Sequence, residues 1–136
     1  MKVVLDTNVV VSGTFFGGVP SEIVDAAKRG VVAFCVSAEI VMEYQEILLR
    51  FAGPGSEADV AIILDGLLEN ATVVTPVELP SQISADRDDD MFIACALAAG
   101  ADIIVSGDKH LLDLQGRLPV QVMKPREALA RIRTAT

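Results

Sequence analysis

Val3-Val4-Leu5-Asp6-Thr7-Asn8 sets a carboxylate at the exit of a short apolar strand, almost at the start of the 136-residue chain. Three consecutive β-favouring residues read as a buried strand, and Asp-Thr-Asn, whose side chains bond their own backbone, reads as its exit turn. An acid at that point is either a turn former or a ligand. Which of the two it is depends on where the later acids fall.

Outward from this strand, Val9-Val10-Val11-Ser12-Gly13 continue apolar until a loop signal at Phe15-Phe16-Gly17-Gly18-Val19-Pro20. Ser21 then opens a predicted amphipathic helix ending at Gly30, and residues 31–36 form a second strand. Strand, helix and strand make a βαβ unit, which implies parallel strands in a sheet covered on both faces. Ser37 reads as the N-cap of a helix over residues 39–51, stopped by Gly53-Pro54-Gly55. At about 100° per residue, Ile40, Val41, Tyr44, Ile47, Leu48 and Phe51 share its apolar face, with Glu43 at the margin and Glu39 and Glu46 further round. Helix position alone leaves Glu43 open between a solvated flank and an acid looking along the sheet edge.

Residues 57–69 read as a further helix and 72–74 as a short strand, followed by a loop punctuated by Pro76 and Pro80. Asp86-Arg87-Asp88-Asp89-Asp90 then precedes the almost entirely apolar helix of residues 91–99. A helix N-terminus favours one or two aspartates as caps and dipole partners, but four in five residues exceed that need. Residues 102–105 form another strand leading to Asp108, which leaves its strand much as Asp6 leaves the first. A short helix from Lys109, a last strand at 120–123 and a C-terminal helix opened by Pro125 complete the chain, with Ala128, Leu129 and Ile132 inward and Arg126, Arg131 and Arg133 outward.

The expected architecture is α/β: a single domain over residues 1–136, a three-layer α/β/α sandwich around a mostly parallel sheet of about five strands. No run is long enough to cross a membrane and no signal-peptide pattern opens the chain, so it reads as a cytoplasmic globular protein. Cys35 and Cys95 lie within apolar segments and read as reduced core residues. The net charge of −8 argues against non-specific affinity for duplex DNA. It is unevenly spread: residues 55–102 hold ten acids and the single base Arg87, whereas residues 117–136 hold five bases and the single acid Glu127.

Sites in an open parallel sheet form beyond the carboxyl ends of the strands, where strand order reverses. Asp6, Glu43, Asp108 and, by a loop folding back, Asp90 all belong to segments expected at that edge. Two unit charges about 4 Å apart repel by about 4 kcal/mol at an effective dielectric near that of a protein surface. Gathered acids must therefore become partly neutral or hold a cation. Oxygen ligands without a Cys or His set favour Mg²⁺ or Mn²⁺, ions that lower the pKa of a coordinated water and stabilise charge on a phosphodiester.

The motifs together resemble the PIN-domain family, most closely the small prokaryotic PIN ribonuclease toxins of toxin–antitoxin pairs. They are Val4-Leu5-Asp6-Thr7-Asn8, Ser37-Ala38-Glu39-Ile40-Val41-Met42-Glu43, Asp88-Asp89-Asp90-Met91-Phe92-Ile93-Ala94 and Ser106-Gly107-Asp108-Lys109-His110-Leu111. The resemblance implies a metal-dependent endoribonuclease whose acids Asp6, Glu43, Asp90 and Asp108 hold Mg²⁺ or Mn²⁺. Asn8 and Ser106 match supporting polar positions, and Asp89 is the alternative to Asp90 as third acid. It also implies an RNA substrate, an antitoxin partner and a homodimer, with the C-terminal bases helping to seat the RNA. Thr7 reads as a turn former and His110 as a loop residue. The alternative is a PIN fold that binds RNA or protein without chemistry. A dehalogenase-like phosphoryl-transfer site needs a second Asp two residues after the first, where Asn8 stands.

Overall fold

Each strand is a short run of residues with nowhere to go but the interior. In the computed structural model, which describes residues 1–135, β1 spans Lys2–Leu5, and Val3, Val4 and Leu5 are wholly buried. The remaining strands are β2 (Ala33–Val36), β3 (Thr72–Val73), β4 (Ile103–Val105) and β5 (Gln121–Met123). All are parallel, in the order β3-β2-β1-β4-β5, with Val3 opposite both Phe34 and Ile103 and Val105 opposite Met123. Strands buried on both faces need apolar residues without alternation, which is how β1 and β4 read.

Helices α1 (Thr7–Phe15), α2 (Gly18–Lys28), α3 (Ala38–Ala52), α4 (Glu57–Leu68), α5 (Asp90–Ala99), α6 (Lys109–Leu112) and α7 (Pro125–Ala135) flank the sheet and make the expected α/β/α layers. No helix among the described residues is long and apolar enough to cross a membrane. Cys35 and Cys95 are buried and unpaired by disulfide.

The largest departure from the sequence reading is α1. Its three valines suggest extended chain, yet Val9, Val10 and Val11 are helical and buried. β-Branched residues lose only about 0.5 kcal/mol each in a helix, while burying such a side chain yields about 1.5–3 kcal/mol. Packing against α2 and α3 therefore decides the conformation. Gly13 permits the α1–α2 approach: a Cβ there would meet Val24 Cγ2 at 2.6 Å and the Pro20 carbonyl oxygen at 2.7 Å. α2 begins at Gly18, before Ser21, because Gly17 and Gly18 with φ of 74° and 71° turn the chain sharply and Pro20 is tolerated in a first helical turn.

α3 is capped by Ser37, whose hydroxyl accepts from the Ile40 amide at 3.3 Å. α1 and α3 each leave a strand at the same edge and run side by side. Thr7 meets Glu43 near one end of the pair, and at the other the rings of Phe15 and Phe16 contact Phe51, with centroids 5.4 Å apart in both cases. Phe51 is thus half-exposed rather than core.

Candidate active site

Strand order reverses beside β1, and the loops leaving β1 and β4 open next to each other there. Asp6 ends β1 and Asp108 follows β4, so both carboxylates stand at this switch point. The Asp6 amide donates to the Val105 carbonyl at 3.0 Å, continuing the β1–β4 ladder to the acid itself. Ser106, fully buried, joins the two loops: its hydroxyl donates to Asp6 Oδ2 at 2.6 Å and accepts from the Asp108 amide at 2.9 Å. Asn8 is exposed in the first turn of α1 and contributes its backbone amide toward the Asp6 carboxylate rather than a buried side chain.

Burial raises the pKa of Asp6; the Ser106 hydroxyl opposes this, the charge of Asp108 adds to it, and the Asn8 and Thr7 amides pull it down. Glu43 reaches the same place from α3. The Thr7 hydroxyl donates to its carboxylate, so Thr7, read from sequence as a turn former, is buried and orients an acid. Tyr44, next along α3, is wholly buried and donates its hydroxyl to the carbonyl of Leu5, the residue before Asp6. α3 is thereby tied to the end of β1 by two bonds. Tyr44→Phe leaves the Leu5 carbonyl without its partner and lowers stability by about 1–3 kcal/mol. An unchanged urea midpoint would show that this tie carries no energy.

The third acid is decided by one residue of register. The chain makes a single 3₁₀ turn at Arg87–Asp89, with Asp86 as its cap, before α5 starts at Asp90. Side chains three apart eclipse in such a turn, so Asp86 and Asp89 share a face. Carboxylate oxygens of Asp86, Asp89 and Asp108 lie within 4.8 Å of one another. Asp90 points elsewhere: its two oxygens accept from the Ser84 amide at 2.7 Å and the Ile83 amide at 3.0 Å, fastening the preceding loop. Asp6, Asp89 and Asp108 are thus brought together, with Glu43 joined through Thr7, while Asp90 is occupied by backbone. The sequence signal for this was the Asp86–Asp89 spacing, legible only once the turn type is known.

Asp89 is 6% exposed, and its Oδ2 is buried without a hydrogen-bond partner. Burial, then the hydrogen bond to Asp108 and the charges of Asp108, Asp6 and Asp86, push its pKa up to about 8. Asp108 is held low, first by the hydrogen bond from Asp89 and also by the His110 amide, which donates to Asp108 Oδ1 at 2.9 Å. Without a cation the pair holds one proton, on Asp89, shared toward Asp108. A divalent ion relieves the same crowding, and a buried all-oxygen donor set with an orphaned carboxylate oxygen suits a hard cation.

A pH dependence follows. Unfolded, Asp89 loses its proton near pH 4; folded and metal-free, it keeps it to about pH 8. Between those values the folded state binds more protons, so stability falls as pH rises. Asp6, also raised, adds in the same direction, and the opposite contribution of Asp108 lies below this window. Melting temperatures measured in a chelator should therefore decline from pH 5 to pH 8. A rise over that range would contradict this arrangement of the acids.

Of the C-terminal bases expected to seat a substrate, Arg131 and Arg133 lie away from the acids. Arg131 donates to Gln121 at the start of β5 and lines a cavity with Asp102 at the opposite sheet edge, and Arg133 pairs with Glu22 at 2.8 Å. A helix leaving a parallel strand runs back along the sheet, carrying its last turn to the far edge. Burial pushes the Cys35 and Cys95 thiols up, Cys95 to about 12, so neither is poised as a nucleophile.

Compared with known proteins, residues 2–110 match the model of the PIN domain. No match was found among curated proteins. Among solved structures, the chain is similar to PAE2754 from Pyrobaculum aerophilum, with a TM-score of 0.67 at 14% identity, covering 98% of this chain and 90% of that one. It is also similar to VapBC2 from Rickettsia felis bound to a DNA fragment from their promoter, with a TM-score of 0.59 at 13% identity, covering 91% and 98%.

Proposed function

The chain belongs to the PIN-domain family, and on that premise we propose that it is a Mg²⁺- or Mn²⁺-dependent endoribonuclease, the toxin of a toxin–antitoxin pair. One observation carries the reading: the unpartnered, buried Asp89 Oδ2 among the carboxylates of Asp86 and Asp108, with Asp6 held beside them by Ser106. So many acids at a strand-order switch are unfavourable unless a cation is part of the working protein.

The assigned metal ligands are Asp6, Glu43, Asp89 and Asp108; Asp89 takes the place that sequence reading gave to Asp90. A divalent ion bound there supplies charge neutralisation at the scissile phosphate and an acidified water. The protein's own groups do the positioning. Ser106 sets the Asp6 carboxylate against β4, Thr7 aims Glu43, and the Asp108 carboxylate is locked by the His110 amide. Asn8, exposed at the start of α1, is placed to orient groups arriving at the edge.

Similarity of fold to the toxin–antitoxin complex from Rickettsia felis supports an antitoxin partner. A cytoplasmic homodimer completes the proposal. The test is a mixed RNA pool incubated with purified protein in Mn²⁺ or in chelator. Internal cuts that require Mn²⁺ are expected. Metal binding without any cut in antitoxin-free protein would overturn the enzyme in favour of a binding module.

A further inference from the structure

Beside the acids, a groove of about 500 Å³ runs between the 76–82 segment and the outer side of α5. It is continuous with the candidate site at two points. Glu39 in its wall precedes Glu43 by one turn of α3, and Arg87 on its rim belongs to the 3₁₀ turn that carries Asp89. Val77, Leu79 and Met91 supply an apolar lining. The wall is prebuilt, because Asp90 spends both carboxylate oxygens on the Ile83 and Ser84 amides. Arg87 is the single base between residues 55 and 102, is exposed, and forms no ion pair among the described residues.

An apolar slot with a free guanidinium at its mouth and a carboxylate in its wall matches one nucleotide of single-stranded RNA. Unstacked bases are read by their edges against side chains, and arginine suits phosphate. We propose that this groove is the subsite for the nucleobase adjoining the cut phosphodiester, with Arg87 on the flanking phosphate and Glu39 accepting from the base. The assignment rests on the nuclease reading of the acid edge. A carboxylate only accepts hydrogen bonds, so Glu39 favours a base carrying an exocyclic amino group, such as cytosine, over uracil, whose O4 would face it.

Fluorescence anisotropy with 5′-labelled cytidine and uridine hexanucleotides in Mg²⁺ tests this on the whole chain, alongside sequencing of the ends cut from a random RNA pool. Wild type should bind the cytidine hexamer about fivefold more tightly than the uridine one, as expected for one charge-assisted hydrogen bond. Arg87→Gln should weaken both about tenfold, leaving their ratio unchanged. Glu39→Gln, which can donate as well as accept, should bring the ratio within about twofold while holding uridine affinity. Melting curves of both exposed-site variants check that they are folded. Equal affinity of wild type for the two hexamers, or a ratio that Glu39→Gln leaves intact, overturns the subsite. If binding discriminates as stated but no RNA is cut, the nuclease reading fails and the subsite stands. Cutting without discrimination overturns the subsite and leaves the nuclease reading in place.

Discussion

Asp6→Asn abolishes RNA cleavage and, in the same protein, raises the melting temperature of the metal-free chain. The two effects have one origin. Asp6 is 5% exposed, and burial together with Asp108 disfavours its charge, so the folded protein tolerates this carboxylate rather than gaining from it. Asparagine keeps the shape and still accepts from the Ser106 hydroxyl, so the β1–β4 corner stays joined. What is lost is negative charge where the cation is proposed to sit. A preorganised electrostatic group of this kind is worth about 10²–10³-fold in rate, and initial rates in saturating Mn²⁺ should fall by at least that factor. Melting in chelator is the companion measurement. A full rate would remove Asp6 from the chemistry, and a rate that falls together with the melting temperature would assign the loss to folding.

Asp89 and Asp90 are neighbours in sequence with opposite expected phenotypes. Asp89→Asn resembles the protonated form that the metal-free protein already holds at neutral pH, where burial and Asp108 keep the acid neutral to about pH 8. Its metal-free stability should therefore be unchanged or higher at pH 7, while Mn²⁺ affinity by calorimetry falls by tenfold or more, in line with the loss of a charged ligand. Asp90→Asn turns an amide NH₂ toward a backbone N–H in place of an accepting oxygen, leaving either Ile83 or Ser84 unsatisfied. That lowers stability by about 1–3 kcal/mol and leaves Mn²⁺ affinity near wild type. The reverse pattern, with Asp90→Asn losing metal and Asp89→Asn losing stability, would return the third acid to Asp90.

That one-residue shift shows how far the sequence carried the site. The motif placed an acid immediately before the apolar helix, and α5 does follow its acid directly. The helix starts at Asp90 rather than Met91, so the residue before it is Asp89. Helix boundaries are the least legible feature of a sequence, because the last turn outside a helix is chosen by what its side chains meet. Thr7 illustrates the same gap. Turn chemistry explains Asp-Thr-Asn completely at the local level, and only the arrival of α3 turns Thr7 into a donor for Glu43. α1 shows local preference losing outright, since three valines become helical when α2 and α3 offer burial.

What the sequence determined by itself was the frame: five short apolar strands, the helices between most of them, Ser37 as a cap, and acids at segment ends bound for one sheet edge. These follow from patterning, because periodicity and turn residues act over a few positions and do not depend on distant partners. Only the tertiary structure decided which acids meet, that Ser106 bridges Asp6 to Asp108, that Tyr44 ties α3 to β1, and that Arg131 and Arg133 lie away from the acids. Those are contacts between residues as far as a hundred positions apart, for Asp6 and Ser106. Their geometry is set by strand order and helix packing, which no local pattern encodes.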